Sequence, residues 1–283
     1  MRRTLLTLCV ALSLVVAGCS GLGGSDTETE PTGTESPTTT GTPTDGSPSE
    51  PVDNPRETFS WLTESGVNES ALLRAHALAV INESSYRTRA TQRTVATDSD
   101  NESVTRYSLA ASATQQRSLY GIDTTVRAAS QTRTDNRTRY RGVTDGSQTV
   151  YYRTAVDGNV SYRVQENPYR DFSTFYRQST GYDLTFSLTA FVLAYDGTVQ
   201  REGQTLYRHT GDSLKTGASF AEDATNVSVT VLVSDRGVIR SLAYSFESTS
   251  NAIPVHITYT FETTGLGETT VERPEWVDQA QSS

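Results

Sequence analysis

The sequence predicts an α+β fold in which antiparallel strands outnumber helices. Apolar residues recur at helical spacing after Asn68, whereas beyond Ser84 the pattern changes to a twofold alternation. Asp-Gly and related turn signals then separate the alternating runs at short intervals. Alternation between closely spaced turns is typical of an antiparallel meander with one covered face and one wet face. We therefore expect a few helices packed on one antiparallel sheet.

The first 18 residues have the pattern of a secretory signal peptide. Two arginines precede an apolar run, Leu5–Val16, that is too short to span a bilayer stably, and small residues follow it. The sequence Val16-Ala17-Gly18-Cys19 resembles the lipobox of secreted lipoproteins. This resemblance implies cleavage before Cys19, a diacylglycerol on its sulfur, and a lipid-anchored location on the extracellular face of the cell membrane. An ordinary signal peptide and an uncleaved anchor are the alternatives.

Residues 19–55 have the composition of a disordered tether. Between Ser20 and Pro55 only Leu22 and Val52 are apolar, seven residues are acidic and none is basic, and six of the nine prolines of the chain lie here. Such a segment buries too little apolar surface to offset its ordering entropy. We expect the folded domain to comprise residues 56–283. Without the signal peptide Cys19 is the only cysteine, so no disulfide forms within the chain.

The charge balance excludes one class of partner. The formal net charge is -9, whereas nucleic-acid binding requires clustered positive charge. Lys215 is the only lysine among 24 Lys and Arg residues, and the chain contains a single methionine. This composition resembles that of proteins from halophilic archaea, and a genome rich in G and C would also favour arginine over lysine.

The domain is predicted to begin with a helix of about fourteen residues. Asn68 is its predicted N-cap and Asn82 lies near its end. His76 lies on the apolar face, where we interpret it as a core histidine bonded to the backbone. The segment Phe59–Leu62 is expected to pack as a separate turn because Gly66 interrupts the helical period. The predicted helical face consists of Leu72, Leu73, His76, Ala77, Val80 and Ile81.

The remaining elements are mostly strands. Turn signals occur at Asp145-Gly146, Asp157-Gly158 and Asp235–Gly237. Each strand carries Tyr or Arg beside small polar residues, which suits a sheet with one covered face. The predicted strands are Tyr86–Thr94, Thr105–Ala113, Thr138–Val143, Gln148–Thr154, Val160–Gln165, Gln204–Thr210, Asn226–Ser234, Val238–Glu247 and Ile253–Glu262.

Two helical segments are predicted to interrupt these strands. Pro168–Gln178 is expected to be a helix that carries aromatic residues, and Trp276 is expected to hold the C-terminus against the sheet. The second helical segment is indicated by an apolar stripe at i, i+4, i+7, i+8 and i+11. Its members are Leu184, Leu188, Phe191, Val192 and Tyr195.

The order of these elements over residues 68–264 resembles that of lipoprotein carriers of the LolA and LppX type. The hairpin Val229–Leu242, with its turn at Asp235–Gly237, contributes to the resemblance. It implies a curved antiparallel half-barrel wrapped around a few helices, with space for acyl chains between them. The lipobox, the Thr-rich tether, the helix bearing His76 and the Pro-Glu-Trp sequence near the end also resemble a family of uncharacterised haloarchaeal lipoproteins, which implies the location and no activity.

No set of residues predicts catalysis or a metal or cofactor site. Gly211–Leu214 spells the nucleophile block of one esterase class, but His256 is not preceded by the aspartate that those enzymes place before their base. The three histidines have no metal-ligand spacing. Carboxylates cluster at Asp98–Glu102, which we interpret as a solvated hairpin tip.

Two non-enzymatic functions are predicted, and an enzyme is the third alternative. The first is the binding or transfer of a lipid or other apolar or amphiphilic ligand at the cell surface by a monomer. Its candidate ligand-binding residues are Leu184, Leu188, Phe191 and Tyr195. The second is an interaction module that recognises a protein or glycan partner of the cell envelope. An apolar cavity between helix and sheet would favour the first function, and a filled core with an exposed aromatic patch would favour the second.

Overall fold

The computed structural model describes residues 55–63, 66–144, 147–166, 171–179, 184, 188–216, 223–250 and 252–283. The predicted signal peptide, the lipidation site Cys19 and the tether up to residue 54 lie outside the described residues, and so does the turn Asp145-Gly146. The described residues, all from Pro55 onward, group into one compact unit. Within the described residues, no helix has both the length and the apolar character needed to cross a membrane.

Helices are few among the described residues. Four are described over their length: α1 (Pro55–Thr58), α2 (Glu69–Ile81), α3 (Phe172–Ser179) and α4 (Trp276–Ser282). The described residues Leu184, Leu188 and Thr189 are also helical. The Asn68 side chain accepts a hydrogen bond from the Ala71 N–H over 3.0 Å, which confirms Asn68 as the N-cap of α2. The aromatic helix predicted for Pro168–Gln178 is confirmed as α3 over its described part.

Eleven of the described strands form one antiparallel sheet in the order β8-β7-β6-β5-β4-β3-β13-β12-β11-β10-β9. The sheet is curved, has β8 and β9 as its edge strands, and wraps around α2 and α3, as predicted. A separate two-stranded hairpin, β1 and β2, precedes α2. The strands are β1 (Leu62–Thr63), β2 (Gly66–Val67), β3 (Ser85–Ala96), β4 (Glu102–Ser112), β5 (Arg117–Ala128), β6 (Gln131–Thr144), β7 (Ser147–Val156), β8 (Asn159–Glu166), β9 (Ala194–Arg201), β10 (Gln204–Gly211), β11 (Thr225–Ser234), β12 (Ile239–Ser250) and β13 (Ile253–Thr264).

The sheet has an inner face, which packs against α2 and α3, and an outer face. In β3 the buried Tyr86 and Ala90 point inward, whereas Arg87 and Arg89 point outward. The register continues this alternation into the neighbouring strand, where Phe261 lies opposite Ala90 on the inner face. The twofold pattern predicted beyond Ser84 is thus confirmed, and it arises because only one face of this part of the sheet is buried.

The main core lies between α2 and the inner face of β10–β13. Leu72 of α2 is fully buried against Val231, Leu242 and Phe261. His76, also on α2, accepts a hydrogen bond at Nδ1 from the Ile239 N–H over 3.1 Å, which confirms the prediction of a core histidine bonded to the backbone. Burial lowers the pKa of His76 from 6.5 to about 4, so the ring is a neutral acceptor near pH 7.

A second cluster joins α3 to the sheet. The Tyr176 hydroxyl donates a hydrogen bond to the backbone oxygen of Glu83 over 2.8 Å, and its ring packs edge-on against Tyr86 at 5.2 Å. Desolvation, with a smaller effect of the Glu83 carboxylate, raises the pKa of Tyr176 to about 12, so its hydroxyl stays protonated and can donate. These contacts fix α3 at the border between the buried and the partly exposed halves of the inner face.

The C-terminal helix α4 packs on the outer face, opposite α2 and α3. Val277 and Ala280 are buried against Tyr140 and Tyr151, whose positions on β6 and β7 face outward. The Trp276 ring stacks near Tyr162 with centroids 6.4 Å apart. The prediction that the C-terminus is held against the sheet is confirmed, although Val277 and Ala280 are more deeply buried than Trp276.

One predicted element is only partly right and one was missed. Of the predicted helical stripe, Leu184 and Leu188 are helical, but the helix ends at Thr189, Phe191 forms a β-bridge with Leu214, and Tyr195 belongs to the edge strand β9. Pairing with β10 satisfies the backbone groups of β9, and this outweighs a chance helical spacing of apolar residues. The sequence also failed to predict β5. Its consecutive residues Leu119 and Tyr120 pack on opposite faces, which obscures the twofold alternation.

Candidate ligand-binding face

The predicted ligand-binding residues lie together, inside the main core. Leu184, Leu188 and Phe191 are each 0% exposed, and they pack in the cluster that contains Leu72 of α2. Tyr195 is partly buried against the same cluster, with its ring centroid 5.8 Å from that of His209. These side chains fill the space between helix and sheet in the described residues. Whether a ligand reaches them stays a prediction.

The inner face of β5–β8 differs from the buried inner face of β10–β13. Its side chains are mostly partly or fully exposed, although those of Ser118, Ala128 and Val150 are buried. They include aromatic, aliphatic and guanidinium groups on one continuous surface. Such a mixture on an inner face is typical of a binding surface and differs from the polar outer face of β3 and β13.

One cross-strand row of this surface alternates tyrosine and arginine. Tyr120 on β5 lies opposite Arg139 on β6, Arg139 lies opposite Tyr152 on β7, and Tyr152 lies opposite Arg163 on β8. Because directly opposite residues of an antiparallel pair project from the same face, all four belong to the inner face. We call this row the Tyr–Arg ladder. At about 4.8 Å between strands, it extends about 14 Å across the sheet.

Each arginine of the Tyr–Arg ladder lies over the ring of a neighbouring tyrosine. The guanidinium carbon of Arg139 is 5.2 Å from the centroid of Tyr120, and that of Arg163 is 4.1 Å from the centroid of Tyr152. Guanidinium groups stacked in this way gain cation–π attraction and lose side-chain freedom. The Tyr152 hydroxyl also donates a hydrogen bond to Gln165 Oε1 over 3.1 Å, which orients the ring between the two arginines.

Helix α3 contributes an apolar border to the Tyr–Arg ladder. The Phe175 ring lies 4.6 Å from the guanidinium carbon of Arg141 and 5.9 Å from that of Arg139. Burial, followed by the neighbouring charge of Arg139, lowers the pKa of Arg141. Ile122, one inner-face position beyond Tyr120, adds a partly exposed aliphatic side chain. Positive charge and apolar surface are therefore adjacent.

The positive charge of the ladder is not neutralised by nearby carboxylates. In the described part of the chain, Arg139 and Arg163 form neither an ion pair nor a hydrogen bond with an acidic residue, whereas Arg137 pairs with Asp135 over 2.7 Å. Strands β5–β8 and their turns, residues 117–166, contain eight arginines and five acidic residues. In a chain of net charge -9, this is a locally positive surface.

The other candidate groups do not form a reactive site in the described residues. The backbone oxygen of Ser213 accepts a hydrogen bond from Val192, and no hydrogen bond joins the Ser213 side chain to a histidine. The carboxylate of Glu102 binds Arg93 over 2.6 Å and Arg127 over 3.2 Å at a hairpin tip. In the described part of the chain, no group of three His, Cys, Asp or Glu side chains is arranged to hold a metal ion.

Sequence reasoning did not find the Tyr–Arg ladder. The available signal was the alternating arginines of β6, at positions 133, 137, 139 and 141, and the tyrosines noted on the predicted strands. Assembling them into one row requires the register of four strands, one of which, β5, the sequence did not predict. A sheet register shifted by one residue would place these side chains on opposite faces.

The fold and this surface define a class of protein: an open, curved antiparallel sheet with helices on its inner face and a partly exposed cationic and aromatic region. The chain belongs to a family of unknown function, DUF7537, whose model matches residues 4–280. A search of curated proteins gives no match.

Solved structures with similar chain paths include the lipoprotein LppX of Mycobacterium tuberculosis, at 14% identity, with a TM-score of 0.32, covering 72% of this chain and 99% of LppX. A β-barrel-like DUF1849 protein of Brucella abortus matches at 10% identity with a TM-score of 0.28, covering 64% of this chain and 98% of that protein. A DUF1329 protein of Desulfovibrio piger matches at 9% identity with a TM-score of 0.22, covering 75% and 98%.

Proposed function

We propose that this protein is a membrane-anchored surface lipoprotein that binds an amphiphilic ligand on the inner face of β5–β8 without catalysing a reaction. The observation that carries the proposal is the coexistence on this face of aromatic and aliphatic side chains with arginines that lack a carboxylate partner. An amphiphile has the complementary arrangement, an apolar body attached to a polar group. A purely apolar ligand would leave the guanidinium groups desolvated and unpaired.

Absence of catalysis is part of the proposal because, among the described residues, no serine or threonine hydroxyl is hydrogen-bonded to a histidine, and the serines that bind carboxylates, Ser173 with Asp171 and Ser248 with Asp223, lie at the exposed surface. Ser213 has no hydrogen bond to a histidine, and burial lowers the pKa of His209 to about 4 in the core of the sheet. The arrangement that acyl transfer usually requires, a serine bonded to a histidine that a third group orients, therefore does not occur in the described residues.

The anchor is proposed from Cys19 and the lipobox that contains it. Two acyl chains on one cysteine give a much firmer attachment than a single chain. Cys19→Ser is expected to release the protein from the membrane fraction, because serine cannot receive the thioether-linked lipid. Cell fractionation measures this directly. Continued partition of the variant into membranes would show that an uncleaved apolar segment holds the chain.

Ligand binding is tested by placing a charge on the apolar part of the surface. Ile122→Glu is expected to weaken binding of dihexanoylglycerol by about tenfold or more, because the carboxylate must be desolvated against the bound chains. Native mass spectrometry of the full-length chain during a titration with this lipid measures the effect. Thr260→Glu is the matched control, since Thr260 is exposed on the outer face of β13. Equal uptake by both variants would place the ligand elsewhere.

A second candidate function, recognition of a protein or glycan of the cell envelope, is favoured by one observation. Leu72, Leu184 and Leu188 are fully buried between α2 and the sheet, so none of these side chains presents surface to a ligand. The partly exposed tyrosines and arginines of β5–β8 would then contact a macromolecule. Binding of the full chain to envelope extracts, blocked by substitutions at the Tyr–Arg ladder while dihexanoylglycerol remains unbound, would select this function.

A further inference from the structure

The Tyr–Arg ladder holds two guanidinium groups in a defined relation. Arg139 and Arg163 lie in the same cross-strand row, two strands apart, with Tyr152 between them. At about 4.8 Å per strand their backbones are about 10 Å apart, a separation that two long arginine side chains can bridge by contacting one small anion between them. The row therefore has the dimensions of a clamp for a single anion.

The stacking contacts keep the donors of both arginines available. A guanidinium group over an aromatic face directs its N–H donors outward around its edge. Neither Arg139 nor Arg163 donates a hydrogen bond to another described side chain, whereas Arg133 and Arg137 on the same strand pair with Asp157 and Asp135. The guanidinium groups of Arg139 and Arg163 can therefore each donate two parallel hydrogen bonds to the oxygens of a phosphate.

We propose, on the basis of the function inferred above, that Arg139 and Arg163 bind the phosphate headgroup of a lipid whose chains lie against Ile122 and Phe175. Two observations favour a lipid phosphate over other anions. The Phe175 ring lies 5.9 Å from the Arg139 guanidinium, so the anion site adjoins apolar surface. The two arginines also have no carboxylate partner in the described residues, and a phosphate would supply the missing counter-charge.

The experiment compares two short-chain lipids that differ only in phosphate. The full-length chain is titrated with dihexanoylphosphatidic acid, with dihexanoylglycerol and with inorganic phosphate, and bound fractions are read by native mass spectrometry and calorimetry. We expect the phosphatidic acid to bind at least about tenfold more tightly than the glycerol, because charge-assisted hydrogen bonds to phosphate are strong. Inorganic phosphate alone is expected to bind much more weakly than either lipid.

The substitutions Arg139→Gln and Arg163→Gln, combined, are expected to abolish the preference for phosphatidic acid and to leave dihexanoylglycerol binding within about twofold. The matched control combines Arg89→Gln with Arg106→Gln. These arginines are on the outer face of β3 and β4, with side chains 62% and 59% exposed and ion pairs of 3.9 and 3.8 Å. The control removes the same charge and should retain the preference, since exposed ion pairs of this kind contribute little.

The outcomes separate this inference from the proposed function. Equal affinity for both lipids, or a preference that survives in the ladder variant, overturns the phosphate assignment and leaves amphiphile binding intact. Inorganic phosphate that binds as tightly as the phosphatidic acid overturns the lipid assignment in favour of a free anion. Failure of both lipids to bind overturns the inference and the proposed function together.

Discussion

Phe191→Ala is expected to lower the free energy of unfolding by about 3–5 kcal/mol, the usual range for truncating a fully buried phenylalanine. The Phe191 side chain is 0% exposed, and its ring lies 5.1 Å from that of Tyr244. Its backbone pairs with Leu214, which prevents the surrounding chain from closing easily over a cavity. The loss therefore combines the transfer free energy of the ring with a cavity penalty.

The adjacent residue provides the control for this prediction. Val192 is 49% exposed, so Val192→Ala should change the free energy of unfolding by less than about 0.5 kcal/mol. Denaturant unfolding of the full chain, followed by fluorescence, measures both variants. A loss below about 1 kcal/mol for Phe191→Ala would show that Phe191 lines an accessible groove, as the sequence-based ligand prediction allowed, and not a packed core.

Acidification from pH 7 to pH 4 is expected to destabilise the protein by about 3 kcal/mol for each of two buried histidines. Burial lowers the pKa of both His76 and His209 from 6.5 to about 4. Below about pH 6.5 these two histidines are protonated in the unfolded chain, whereas in the folded chain they stay neutral until the pH approaches about 4. The stability is complete above pH 6.5 and is lost progressively as the pH falls through this interval.

His209→Leu isolates one of these contributions. Neither ring nitrogen of His209 has a hydrogen-bond partner in the described residues, so leucine removes no such bond and remains buried on the inner face of β10. We expect stability at pH 7 to change by at most about 1.5 kcal/mol, and the loss between pH 7 and pH 4 to shrink by about 3 kcal/mol. Urea unfolding at a series of pH values gives both quantities. A pH profile identical to that of the wild type would contradict a lowered pKa of His209 in the folded chain.

The elements that the sequence predicted correctly are those in which one face is buried and the other is exposed to solvent. The N-cap Asn68, the core position of His76 and the alternation of β3 are readable because one face of each element is buried and the other is wet. The hairpin turn at Asp157-Gly158 is readable because both residues adopt positive φ values, 48° and 87°, which their types favour.

The elements that the sequence did not predict correctly, β5 and the segment Phe191–Tyr195, owe their structure to tertiary contacts. Strand β5 packs Leu119 under the C-terminal segment and Tyr120 toward α3, so its apolar residues lie on both faces and do not alternate with polar ones. From Phe191 to Tyr195, buried side chains occur in a bridge and an edge strand, where spacing alone resembles a helix. Tertiary contacts of this kind override local propensity.

The Tyr–Arg ladder could not be predicted from the sequence, because it too depends on tertiary contacts. The Tyr–Arg ladder brings together residues 120, 139, 152 and 163, which are separated by three hairpins. Its composition is visible in the sequence as tyrosines and arginines on successive strands, but its alignment depends on the length of every hairpin between them. The structure supplies that register and assigns the charged residues to one face.

Native mass spectrometry of the full-length chain, purified without added lipid, tests amphiphile binding most directly. We expect a retained mass that extracts into chloroform and contains phosphate. The fraction of protein that carries this mass should be lower in Ile122→Glu and in the combined Arg139→Gln and Arg163→Gln variant. A bare mass that takes up neither dihexanoylglycerol nor dihexanoylphosphatidic acid would contradict amphiphile binding and would favour recognition of a macromolecular partner by the same face.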